Sequence, residues 1–186
     1  YITDHLNGRV QKYTKDGDYL LTFGEGDLNL PWGVHVSPNG SIYVADWGNH
    51  RIVRYSADGS ILACYGSHGD GDGQFKNPSR VAVDTDGNIY VADWGNERVQ
   101  VLGHDGVFQM KLRGQATLSQ WAQEFLDVNP DERITREQSN LVPELPPHFD
   151  TPYLVSTQIE SYFWGAASVN LDTEERLYVT ESARHR

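Results

Sequence analysis

The side chains on this chain that could bind a metal or attack a substrate are few and widely spaced. Seven histidines are present, and none forms a His-x-His or HExxH pair of the kind that holds zinc. His35 is the best histidine for a metal role, because it falls on a strand that would face a central channel. Asp70-Gly71-Asp72-Gly73 hints at a calcium loop, with Asp70 and Asp72 as ligands. An EF-hand, however, needs further oxygen donors and a Glu at its twelfth position. Cys64 is the single cysteine, so no internal disulfide is possible. It lies in the apolar stretch Ile61–Tyr65 with no neighbouring base, which favours a buried packing role over a nucleophilic one. No Gly-x-Ser-x-Gly elbow, phosphate loop or dinucleotide fingerprint occurs.

Two stretches do place polar groups at a fixed spacing. Ile42–Arg51 and Ile89–Arg98 are identical at nine of ten positions, 47 residues apart. Each contains Asp-x-x-Asn-x-Arg: Asp46, Asn49 and Arg51, then Asp93, Asn96 and Arg98. An Asp at a turn accepts backbone N–H bonds, Asn tolerates the left-handed conformation, and Arg forks onto a carboxylate. We therefore read both strings as structural turns. Asp4, Asn7 and Arg9 repeat the pattern, whereas Glu181 and Arg184 depart from it near the end of the chain.

The elements around these turns are short strands. Gly33–Ser37 alternates apolar and polar residues, Pro38-Asn39-Gly40 turns the chain, and Ile42–Ala45 is β-branched and aromatic. Arg51–Tyr55 and Ile61–Tyr65 follow, separated by Ala57-Asp58-Gly59. The next unit repeats this order from Val81 to Leu112. Four antiparallel strands per period of this length describe a propeller blade.

Pro31-Trp32-Gly33-Val34 followed by Gly40-x-Ile42-Tyr43-Val44-Ala45-Asp46-x-x-Asn49-x-Arg51-Ile52 resembles the NHL repeat. Pro78 to Val99 matches it too, with Arg80 where glycine is usual. The resemblance implies an all-β propeller of four-stranded antiparallel blades, six-bladed when complete. It divides the chain into a partial blade (1–28), two complete blades (29–75 and 76–113), an insertion (114–162) and a partial blade (163–186). On this reading the chain is an arc, whose remaining blades lie in a missing part of the same chain or in another chain. Among propeller enzymes, lactonase-like hydrolases hold a divalent cation and peptide-amidating lyases hold zinc. Calcium or zinc is expected only under that enzyme alternative, and otherwise no cofactor.

Recognition is expected on the face that carries the loops between second and third strands. That face gathers Trp47, His50, Trp94, Glu97 and His68, with Arg80 close by, as ligand-binding candidates. The two tryptophans serve either as anchors for a protein or small-molecule ligand or as packing between blades. The insertion opens with Thr117-Leu118-Ser119-Gln120, a capping-box pattern. Leu118, Trp121, Ala122, Phe125 and Leu126 then share a helical stripe, Asn129-Pro130 ends that helix, and a polar helix follows over 131–140. We expect this segment to form a lid or partner surface on the same face, with Trp121 as a further anchor. A net charge of −11 argues against nucleic-acid binding, and no segment reads as membrane-inserting. The compartment stays open, because a chain that starts within a blade can have lost a leader.

Overall fold

The computed structural model describes residues 1–113, 120–138, 163 and 165–181. Two compact units emerge, residues 1–112 with 164–186, and residues 113–163.

The first unit is four separate antiparallel sheets. Strands β1 (Ile2–Asp4), β2 (Arg9–Tyr13) and β3 (Tyr19–Phe23) make one. Strands β4 (Pro31–Val36), β5 (Ile42–Asp46), β6 (Arg51–Tyr55) and β7 (Ile61–Tyr65) make a complete blade in sequence order. Strands β8 (Pro78–Val83), β9 (Ile89–Asp93), β10 (Arg98–Leu102) and β11 (Phe108–Leu112) make a second. Strands β12 (Ala166–Leu171) and β13 (Leu177–Glu181) pair with each other. The all-β blade architecture read from the repeat is therefore present.

The apolar run Ile42–Ala45 lacks polar alternation because both faces of β5 are covered. Ile42 and Val44 join Val10, Phe23, Leu28, Val53 and Tyr55 between the first two sheets. Tyr43 and Ala45 point the other way, into a core with Phe75, Val81, Ile89 and Leu102. The innermost strands approach closely. A Cβ on Gly33 would lie 2.7 Å from the Ser79 carbonyl oxygen, so β4 meets β8 there only with glycine.

Cys64 departs from expectation, since it is exposed. On β7 it is Ala63 and Tyr65 that turn to the core, so the two-residue period puts Cys64 outward, with Sγ 3.8 Å from Arg51 Nη1.

Among the described residues, the second unit holds two helices, α1 (Gln120–Val128) and α2 (Pro130–Gln138). Pro130 opens α2, where its missing N–H costs nothing, and Asp131 and Glu132 suit the positive helix start. The Asn129 amide caps α1 by donating to the Phe125 carbonyl at 2.7 Å. Of the expected stripe, Leu126 is buried and Phe125 is exposed. Thr117, Leu118, Ser119 and residues 139–162 lie outside the described residues. Trp121 is on α1, and its side chain lies outside them too.

Candidate functional site

The Asp-Asn-Arg strings sit where the second and third strands of a blade turn. Cross-strand pairing sets Asp46 opposite Arg51 and Asp93 opposite Arg98, so each ion pair closes its own hairpin. Arg51 Nε donates to Asp46 at 2.7 Å and Arg98 Nε to Asp93 at 2.8 Å. Asn49 and Asn96 donate their amides to the same carboxylates. The other carboxylate oxygen accepts from the incoming link, through the backbone N–H of Asn29 or Lys76 at 2.7 Å. The first copy agrees, with Asn7 and Arg9 both donating to Asp4.

One detail differs from the sequence reading. Asn49 and Asn96 sit inside a short 3-10 turn, and the left-handed residues are the next ones, His50 (φ 57°) and Glu97 (φ 53°). The asparagine is selected for its donor, not for its backbone. Gly48 is selected for space. Its N–H bonds the Asn29 carbonyl at 2.8 Å, and a Cβ would meet that oxygen at the same separation.

The Asp70–Gly73 loop is organised around a guanidinium. Arg98 donates to the carbonyls of Asp70 (2.7 Å), Gly71 and Gln74 (2.9 Å each), while the Asp72 carboxylate pairs with Lys111 at 2.9 Å. Arg98 thus supplies the positive charge among those carbonyls. His35 is on β4 as expected, with Nε2 enclosed and without a partner. Burial, helped by the charge of Arg80, pushes its imidazole below the usual range. Among the described residues, no three His, Cys, Asp or Glu side chains converge as a metal would require.

On the loop face, aromatic rings form a contiguous run. His5 meets Trp32 edge-on at 5.1 Å, and Trp32 lies tilted against Trp47 at 6.1 Å. Trp32 is 54% exposed and Trp47 half-buried. Thr3 holds the run in place by donating its hydroxyl to the Trp32 carbonyl at 2.7 Å. The His5 Nδ1–H faces the Pro31 carbonyl at 3.3 Å. Trp94, at the matching turn, is 40% exposed.

Beside this run, the His50 and His68 rings meet at 4.5 Å, tilted by 54°. His50 Nδ1 accepts the backbone N–H of Asn77 at 3.0 Å, which leaves its proton on Nε2. In this arrangement His50 is a hydrogen-bond donor and has no lone pair free for a metal. Burial lowers its pKa, and the charge of His68 acts in the same direction. Asn77 itself is left-handed (φ 54°), and its amide donates to the Trp47 carbonyl. The link between the blades is thereby tied to the aromatic turn.

Of the candidates, Trp47, His50 and His68 come together here. Glu97 and Trp94 belong to the next turn. Arg80 lies on the innermost strand β8 rather than in a loop, near enough to His35 for its charge to act there. Sequence reasoning passed over Trp32. Its signal was a break in the repeat, Pro31-Trp32 against Pro78-Ser79, where a bulky ring stands at a position that otherwise needs only a serine.

Residues 28–55 and 75–102 match the NHL repeat. No curated protein matches the chain in sequence. Among solved structures, virginiamycin B lyase from Staphylococcus aureus is similar with a TM-score of 0.56 at 17% identity, covering 96% of this chain and 44% of that one. A streptogramin B lyase gives a TM-score of 0.47 at 20% identity over 59% of this chain and 35% of the lyase. The chain thus spans less than half the length of each of these neighbours. At 17% identity the first likeness establishes the propeller fold and nothing of the chemistry.

Proposed function

We propose that this chain, built of NHL repeats on propeller blades, is a non-catalytic binding module that recognises its partner on the loop face. The carrying observation is the aromatic run His5–Trp32–Trp47, with Trp32 exposed and its neighbours half-buried, beside the Asp46–Arg51 clasp. Large rings on an immobile scaffold lose little entropy when a partner covers them, which is why tryptophan dominates binding hot spots. The His50 Nε2–H adds a fixed donor at the edge of that surface. The matching ligand is an apolar or aromatic group that carries a hydrogen-bond acceptor, either on a protein or as a small molecule.

Saturation-transfer NMR with a set of small aromatic amides, run on the wild type and on Trp32→Ala/Trp47→Ala, tests this reading. Each ring removed should cost about 2 kcal/mol or more of binding, roughly thirtyfold in affinity. Binding should survive a chelator. Amides that bind a folded double variant as well as the wild type would remove the basis for the proposal.

A further inference from the structure

The opposite face of the first unit has a concavity of different chemistry. There the ends of β4, β8 and β12 and the turns that follow them border an open cleft of about 580 Å³. Val36, Val83 and Leu171 give it apolar walls, and Val36 is 44% exposed. Asp84, Asp172, Glu174 and Glu175 also line it, and among the described residues no lysine or arginine does.

These carboxylates are held in place by their own turns. Asp84 accepts the Asn88 N–H at 2.7 Å, the Asn88 amide at 2.8 Å and the Tyr90 hydroxyl at 3.1 Å. All three donors are neutral, so the full charge of Asp84 remains. Glu175, left-handed at φ 60°, crosses to the neighbouring blade. There its Oε1 accepts the Thr85 N–H at 3.0 Å and the Thr85 hydroxyl. Among described residues, no donor reaches its Oε2. Asp172 and Glu174 share a single cation, Arg176, at 2.7 and 2.9 Å.

The carboxylates act on the neighbouring Tyr90 side chain. The Tyr90 phenol is pushed up to about 12, by burial first, then by its bond to Asp84 and by the charges of Asp84, Glu175 and Asp86. His35 in the wall is held toward its neutral form by burial and by the positive charge of Arg80, so it adds no cation to the cleft. The committed oxygens do not converge into a metal-holding set among the described residues. An acidic cleft with apolar walls suits an organic cation on a hydrocarbon stem better than a metal ion, which needs several oxygens converging on one point.

We propose that this cleft binds an organic cation, an alkylammonium or guanidinium group whose stem lies on Val36, Val83 and Leu171 while its charge faces Glu174 and Glu175. The proposal stands apart from the aromatic reading, since it concerns the other face and none of the same residues.

Agmatine titrated into the chain at low salt, with N-butylacetamide as the uncharged comparison, tests it by calorimetry. Agmatine should bind, N-butylacetamide should not, and 0.5 M salt should weaken agmatine strongly because exposed charges are screened. Glu174→Gln and Glu175→Gln each keep the amide oxygen that accepts a hydrogen bond, so the turn is retained while a charge is lost. Each should weaken agmatine about two- to fivefold, and the double variant more. Acetyl-Arg-Gly-amide binding more tightly than agmatine would assign the cation to a protein segment, and equal affinity to a free amine; either supports the site. Failure of agmatine to bind, equal binding of N-butylacetamide, or unchanged agmatine affinity in a double variant with wild-type thermal unfolding would overturn it.

Discussion

Replacing the aspartate of each clasp by asparagine should destabilise the protein in a strict order set by burial. At Asp93 both partners are enclosed, with side-chain exposures of 0% for Asp93 and 2% for Arg98. Asparagine there can still accept the Lys76 N–H, but its amide would then face Arg98 Nε, donor against donor. Losing one member of a fully buried pair costs about 3–5 kcal/mol. That is a large share of the roughly 5–15 kcal/mol by which domains are stable. At Asp46 the carboxylate is equally buried, but Arg51 is 28% exposed, so water can take over part of its solvation. The expected loss is about 1.5–3 kcal/mol, the worth of hydrogen bonds to a charged group. Asp4 and Arg9 are both partly exposed, at 24% and 31%, and Asp4→Asn should have the smallest effect of the three. Urea unfolding followed by tryptophan fluorescence measures all three variants on one scale. Asp93→Asn combined with Arg98→Met should recover only part of the loss. The second change removes the donors Arg98 gives the carbonyls of Asp70 and Gly71, whereas the Gln74 carbonyl keeps Gln100. Equal losses at the three sites, or a milder effect at Asp93 than at Asp46, would refute burial as the quantity that ranks them.

Other consequences are as direct. Two-dimensional ¹H–¹⁵N spectra of the histidine rings should show His50 neutral and protonated on Nε2 at pH 7.5, because Nδ1 accepts from Asn77; a proton on Nδ1 would contradict that bond. His35 and His50 both have pKa values below the ordinary 6.5, so their stabilisation is complete above pH 6.5 and is lost as pH falls through the lowered values. Urea midpoints taken from pH 7.5 down to 5 should therefore fall, less so in His50→Gln, and a flat profile would count against it. Gly95→Ala would set a Cβ 2.6 Å from the Lys76 carbonyl oxygen, and overpacking of that kind costs about 1–3 kcal/mol, readable as a lower thermal midpoint. Cys64 is exposed, so the folded protein should react with a thiol reagent at close to the rate of the urea-unfolded chain; strong protection would place the thiol inside.

How much was legible beforehand follows from the range of the interactions. The strand order, the hairpin turns and the Asp-Asn-Arg clasp are written in consecutive residues and repeated, so the sequence by itself determined them. Periodicity alone says which residues of a strand share a face. It does not say that Cys64 lies on the outer face of β7, because that depends on where β7 stands in the blade. His50 meeting His68, and Trp32 lying on Trp47, depend on side-chain directions that no local pattern encodes. The acidic cleft draws one turn from each of three blades, with Glu175 reaching Thr85 across 90 positions of chain. Each turn reads locally as an ordinary β-hairpin. Only the packing of the inner strands side by side brings the carboxylates after β8 and β12 together beside Val36 of β4, and that juxtaposition is what the tertiary structure decided.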